Sequence, residues 1–322
     1  MKGIMVQGTG SGVGKTVIVA ALCRYFSRKG YRVTPFKAQN MALNSYITKE
    51  GAEIGRAQAL QAMAAGVEPT WAMNPVLLKA SGPLGTQVIL KGRPVGTMKP
   101  QEYYAFRQKA WQAVLEGWEA LSREFDIAIV EGAGSPAEIN LRDVEIVNMA
   151  VAKEFSLPVI LVGDIDRGGV FASLYGTLAL LEEDARYIKA LLINKFRGDV
   201  QILRPGIKEI ENKTGRPVIG VVPYTDTLLL EEEDSFGIYK QKTGTGQTLK
   251  VTVLKLPLIS NFTDFLPLMY EDDIDLVFSL KREDILQADL VIIPGTKSTI
   301  RDLEFLKSHG IDETLKEAIS RG

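Results

Sequence analysis

Residues 3–16 constrain the fold of this chain more than any other stretch. A short apolar run over 3–6 enters a loop of Gly8, Thr9, Gly10, Ser11, Gly12, Val13 and Gly14, which ends in Lys15 and Thr16 and opens onto a helical pattern over 16–28. A strand that turns through glycines into a helix aims several backbone N–H groups at one point. The helix N-terminus adds positive potential there, so the loop suits a phosphate. In this pattern Lys15 reaches the outer phosphates of a nucleotide, and Thr16 sets its hydroxyl on Mg2+.

Further apolar runs at 32–36, 127–130, 158–162, 190–193 and 218–222 alternate with helical patterns over 55–65, 100–123, 144–155 and 207–214. The alternation predicts an α/β fold with a parallel sheet covered by helices on both faces. An acidic stretch over 226–234 and a polar, glycine-containing one over 240–247 interrupt it. Apolar runs then resume at 249–256, 276–280 and 290–293, as for a second α/β unit of which about half is present. The expected boundaries are 1–235 for the phosphate-loop domain, 236–249 for a linker and 250–322 for the partial second domain.

Charge and rare residues exclude several classes. Lys and Arg total 38 against 39 Asp and Glu, with no long basic run, so no nucleic-acid partner is expected. The single cysteine, Cys23, and single histidine, His309, rule out an internal disulfide framework and a Cys/His zinc site. No apolar run reaches membrane-spanning length, and the N-terminus reads as a strand rather than a signal peptide. No membrane association is expected, and the cytoplasm is the expected location.

Ligands of open α/β sheets bind beyond the carboxyl ends of the strands, and polar residues recur there. Lys37 follows the second strand, where an ammonium could neutralise a transferring phosphoryl group. Glu131 ends the 127–130 run and suits Mg2+, which takes few protein oxygens; Glu53 is a second acidic candidate. Asp164, Asp166 and Arg167 follow the 158–162 run. The acids could orient metal-bound water, and Arg167 could pair with phosphate or a substrate carboxylate. Asn194 follows the 190–193 run and has an amide that can pair with an adenine edge. Its spacing to Asp199 is too long for the guanine-reading Asn-Lys-x-Asp pattern, which favours ATP over GTP. Each residue alone could be a surface lysine, a capping acid or a turn asparagine. Their recurrence at the end of strand after strand favours a site.

The loop resembles that of dethiobiotin synthetase, with Thr9 where the common phosphate loop has its first glycine. Partition ATPases carry an extra lysine where this chain has Gly10. The blocks Lys37-Ala-Gln-Asn40-Met-Ala-Leu-Asn44-Ser45, Glu53-Ile-Gly-Arg-Ala-Gln58, Met73-Asn-Pro-Val-Leu-Leu-Lys79, Glu131-Gly-Ala-Gly-Ser135-Pro-Ala-Glu138-Ile-Asn140, Asp164-Ile-Asp-Arg167-Gly-Gly-Val-Phe171 and Asn194-Lys-Phe-Arg-Gly-Asp199 resemble the cobyric acid synthase family. Pro294-Gly-Thr-Lys-Ser-Thr299 with Asp302 and Leu303 resembles that family's second domain.

The resemblance implies amidation of the b, d, e and g carboxylates of a corrinoid, adenosylcobyrinic acid a,c-diamide, with ATP, Mg2+ and glutamine or ammonia. It implies that residues 8–16 hold the ATP phosphates and Asn194 the adenine. Thr16 and Glu131 would hold Mg2+, with Glu53 or Asp164 as a further ligand. Lys15 and Lys37 would stabilise transferring charge. Asn40, Asn44, Ser45, Ser135, Glu138 and Asn140 would line the corrinoid pocket, with Asp143 as a substrate-orienting acid.

The second domain resembles a class I glutamine amidotransferase, which hydrolyses glutamine with a Cys–His–Glu set. Gly295 could offer an N–H to an oxyanion there. The expected nucleophile block, however, would follow Gly322. Cys23 reads as a buried residue of the first helix, and His309 as a surface residue at a helix end. The chain is therefore expected not to hydrolyse glutamine but to accept free ammonia. Cobyrinic acid a,c-diamide synthase and a partition-type ATPase are the alternatives. Dethiobiotin synthetase itself is disfavoured by the C-terminal extension. The sequence does not set the oligomeric state.

Overall fold

Strands that are apolar at nearly every position are buried on both faces, and such strands build the centre of this protein. A computed structural model describes all residues except 81–84, 143, 226–248, 258, 297 and 322. The chain forms two compact units, Met1–Lys79 with Gln87–Glu232, and Ala80–Thr86 with Glu233–Gly322. In chain order, β1 (Lys2–Gly8) leads through the glycine loop into α1 (Lys15–Arg28), followed by β2 (Val33–Phe36). Short strands β3 (Gln39–Met41), β4 (Ser45–Ile47) and β5 (Glu53–Gly55) precede α2 (Arg56–Ala65). Then come β6 (Val76–Ala80), β7 (Thr86–Leu90), β8 (Arg93–Met98), α3 (Pro100–Ser122) and β9 (Ile127–Glu131). They are followed by α4 (Met149–Glu154), β10 (Val159–Asp164), α5 (Val170–Leu181), β11 (Ile188–Phe196), α6 (Val200–Thr214) and β12 (Val218–Pro223).

Six of these strands form one parallel sheet in the order β12-β11-β10-β1-β9-β2. The two-residue side-chain period sorts its residues onto two cores. Met5, Ala128, Val130, Val159 and Leu161 face one, where the rings of Trp118 and Phe155 stack at 4.1 Å and Phe36 meets Trp118 edge-on. Val6, Ile129 and Val162 face the other, against Ile18, Val19 and Cys23 of α1. After β1 the chain moves to β2 and β9 on one side, while β10 to β12 fill the other. The glycine loop therefore leaves β1 where the strand order reverses, and a crevice opens there in this kind of sheet.

The expected parallel α/β sheet is present. A four-stranded sheet β3-β6-β7-β8 and the antiparallel pair β4-β5 were not predicted, nor was α5. The helix expected over 144–155 is confined to Met149–Glu154. The Glu145 carboxylate accepts the backbone N–H groups of Val147, Asn148 and Ala150 and holds the preceding residues in a turn instead. Helix α6 starts at Val200, seven residues ahead of the expectation, because Asp199 caps it and Pro205 is tolerated inside. The carbonyl that Pro205 leaves out of the ladder belongs to exposed Gln201, where water can satisfy it.

The second unit carries β13 (Leu249–Leu254), α7 (Leu266–Tyr270), β14 (Ile274–Ser279), α8 (Arg282–Leu286), β15 (Leu290–Ile292), α9 (Thr299–Ser308) and α10 (Ile311–Ser320). Its strands form a parallel sheet, β14-β13-β15, over a core that includes Leu254, Ile259, Ile285 and Leu306. The linker expected at 236–249 lies, but for Leu249, outside the described residues. No helix among the described residues is long and apolar enough to cross a membrane.

Candidate active site

The glycine loop takes its shape from backbone that only glycine adopts without strain. Gly12 and Gly14 have φ of 70° and 96°. A Cβ on Gly14 would also lie 2.2 Å from Asn194 Nδ2. Gly14 precedes α1, so the unpaired N–H groups of the first helical turn begin at Lys15. Lys15 is 7% exposed. Its Nζ donates to the carbonyls of Gly10 at 2.8 Å and Gly134 at 3.1 Å, linking the loop to the segment after β9.

Sheet register brings the next three groups together. Glu131 ends β9 beside β1, paired with Val6, and is 1% exposed. The Thr16 hydroxyl donates to its Oε1 at 3.1 Å. On the other side of β9, Phe36 pairs with Val130, so Lys37 emerges next to Glu131. Lys37 Nζ lies 2.9 Å from the same Oε1, and the lysine is 3% exposed. Gln61 of α2, fully buried, donates Nε2 to Glu131 Oε2 at 2.5 Å and to the Thr16 carbonyl at 3.4 Å. A carboxylate this deep needs such partners, because unpaired burial of a charge is strongly unfavourable.

Across β1, Asp164 ends β10 and pairs with Asn194 on β11. Lys195 Nζ lies 3.2 Å and Arg167 Nε 3.8 Å from Asp164 Oδ2. Lys195 also donates to the Gly12 carbonyl at 2.7 Å, and Asn194 Nδ2 to that of Val13 at 2.8 Å. Both residues are thus clamped to the loop. One amide hydrogen of Asn194 is engaged in this way, and the amide has two.

The remaining expected residues fall elsewhere. Glu53, expected beside Mg2+, sits on β5, in the two-stranded pair rather than on the rim of the central sheet. It is bound by the buried Lys79, which also donates to Ser45 at 2.9 Å. Asn40 is buried and donates to Gln58 Oε1 at 3.0 Å. Asn44 is buried, and its side-chain amide has no hydrogen-bond partner among the described residues. Ser135 accepts from the Ala137 N–H, while Glu138 and Asn140 are exposed. Asp143 lies outside the described residues. Cys23 is buried in α1, and burial, with the Glu131 charge adding to it, pushes its thiol up to about 12. His309 is exposed at the end of α9, with Nδ1 2.8 Å from the Phe305 carbonyl.

Thr16 and Glu131 are adjacent hard oxygen donors at the start of the helix that follows the loop, a set that fits Mg2+, which keeps several waters and takes few protein ligands. No cluster of three or more His, Cys, Asp or Glu gathers among the described residues. Lys79 and Lys195 lie within the quoted sequence blocks but carried no expected role there, and Gln61 lies in none of those blocks. Gln61 had a signal: with Gln58 it places two amides three residues apart on a buried, alanine-rich helix face.

A glycine loop running from a parallel strand into a helix, with a carboxylate and a lysine at the neighbouring strand ends, defines a P-loop nucleotide-binding domain. The chain belongs to the CobQ/CobB/MinD/ParA nucleotide binding domain family, whose model matches residues 4–236. A CobB/CobQ-like glutamine amidotransferase domain matches residues 250–322. The chain is 51% identical to the cobyric acid synthase of Thermodesulfovibrio yellowstonii, covering 99% of this chain and 65% of that protein. It is 52% identical to the cobyric acid synthase of Desulforudis audaxviator, over 99% of this chain and 65% of that one. The Moorella thermoacetica cobyric acid synthase is 52% identical over 100% of this chain and 63% of its own length. The chain thus spans just under two thirds of each of these relatives.

Proposed function

We propose that this chain is the ATP-using part of a ligase that converts corrinoid carboxylates to amides. The observation that carries the reading is the convergence of Thr16 and Lys37 on Glu131 beside the phosphate loop, in a chain half identical to cobyric acid synthases. A carboxylate resists attack by ammonia because its leaving group would be oxide. Taking the γ-phosphoryl group of ATP turns it into an acyl phosphate, with ADP released. Ammonia then displaces phosphate and leaves the amide.

In this reading the loop N–H groups and Lys15 cradle the phosphates, and Lys37 sits where charge gathers on the transferring group. Mg2+, held by Thr16 and Glu131, would neutralise phosphate charge. Asp164, Lys195 and Arg167 bound the phosphate side across β1. Asn194 keeps an amide hydrogen for adenine. The corrinoid contacts fall to Asn40, Asn44, Ser45, Ser135, Glu138 and Asn140, and the substrate-orienting role to Asp143. The nitrogen source is ammonia, from glutamine hydrolysis in the whole protein.

The test is incubation of the 322-residue chain with ATP, Mg2+, ammonium and adenosylcobyrinic acid a,c-diamide, with products read by mass spectrometry. Stepwise amidation at b, d, e and g with matching ADP release is expected. In a parallel incubation with cobyrinic acid in place of the diamide, amidation only at a and c would assign the sister reaction instead. ATP hydrolysis that ignores every corrinoid acid would overturn the ligase reading in favour of a partition-type ATPase.

A further inference from the structure

Glu131 offers two carboxylate oxygens, and the structure uses them differently. Oε1 accepts from Thr16 Oγ1 and Lys37 Nζ, the two groups that face the nucleotide in the proposed mechanism. Oε2 accepts from Gln61, whose same nitrogen also reaches the Thr16 carbonyl. Gln61 belongs to α2, which supplies no strand to the central sheet but packs against β2 and against α1, the helix that follows the loop. Its Oε1 is buried without a hydrogen-bond partner among the described residues. Rotating the amide would set that oxygen against Glu131 Oε2, acceptor against acceptor, so the observed orientation is enforced. A buried unsatisfied acceptor costs about 1–3 kcal/mol.

We propose that Gln61 is a positioning residue for the metal-side carboxylate: it fixes the rotation of Glu131 so that Oε1 faces Thr16, and thereby sets the affinity for Mg2+ in the nucleotide complex. The proposal rests on the reading of Thr16 and Glu131 as the Mg2+ pair. Residues that orient a metal's carboxylate are typically worth about 10–100-fold in metal affinity.

The experiment titrates MgCl2 into the 322-residue chain with a fluorescent N-methylanthraniloyl ATP, comparing the unaltered chain with Gln61→Met, Gln61→Glu, Glu131→Gln and Thr16→Ala. Gln61→Met keeps length and removes the donor. It should leave nucleotide affinity without Mg2+ unchanged and raise the Mg2+ concentration for half-maximal tightening by about tenfold or more. Gln61→Glu replaces the donor by an acceptor and should do at least as much. A purely structural role would lower affinity equally with and without Mg2+, and that result overturns the proposal. So does an unshifted Mg2+ requirement in a folded Gln61 variant while Glu131→Gln and Thr16→Ala lose theirs. Failure of both Gln61 variants to fold would make the residue one of the fold and equally overturn it. An unchanged Mg2+ requirement in Glu131→Gln and Thr16→Ala would instead remove the reading of the metal pair itself, and this proposal with it.

Discussion

Glu131 collects a hydroxyl, an ammonium and an amide in a place almost closed to water. Removing one member of a buried ion pair costs more than the pair contributes, because the other charge stays behind. Lys37→Met should therefore destabilise the chain by about 3–5 kcal/mol. Lys37→Met with Glu131→Gln should recover part of that loss, and urea unfolding of the two singles and the double would measure the coupling. Cys23 makes a second prediction. Folded, its thiol is pushed from 9.0 up to about 12; unfolded, it ionises near its ordinary value. Its share of stability is thus complete below about pH 9 and is lost as pH rises toward about 12. Between about pH 8 and about pH 10, Cys23→Ala should lose less stability than the unaltered chain in paired denaturant melts. A thiol reagent at neutral pH should label Cys23 only after unfolding.

Elements were legible where one physical signal dominated them. β1, β9 and β10 could be read because both faces are covered and the apolar runs are unbroken. The rim could be read because charged residues interrupt those runs at their ends: Lys37, Glu131 and Asp164 all lie there. The strands β3, β4 and β5 could not, being three residues long and without an unbroken apolar run; β3 is paired by the distant β6, and β4 and β5 pair only with each other. Helix α5, apolar on most positions, showed no face to a periodicity reading. Gln61 carries no charge and belongs to no motif; its spacing to Gln58 on an alanine-rich helix was its one sequence signal, and only its buried neighbours give that spacing a role. At this scale the loop makes its own prediction. Gly14→Ala would strain a left-handed backbone and drive a methyl against the Asn194 amide, 2.2 Å away. Stability should fall by about 1–3 kcal/mol, and nucleotide affinity should fall with it. Binding measured on the folded fraction separates the two effects.

Considered as a whole, the chain builds its candidate site from contacts that span great stretches of sequence. Thr16, Lys37 and Gln61 reach Glu131 across separations of 115, 94 and 70 residues. Contacts so distant in sequence form slowly, since each closes a large loop of chain before any benefit returns. Refolding from urea should therefore restore helical circular dichroism ahead of Mg2+-dependent nucleotide binding. The binding signal should recover with the slowest phase, when β2, β9 and α2 have all docked on β1. Nucleotide capture would then report on assembly: a molecule with any one of those pieces out of place would lack the pocket that Thr16, Lys37, Gln61 and Glu131 make together.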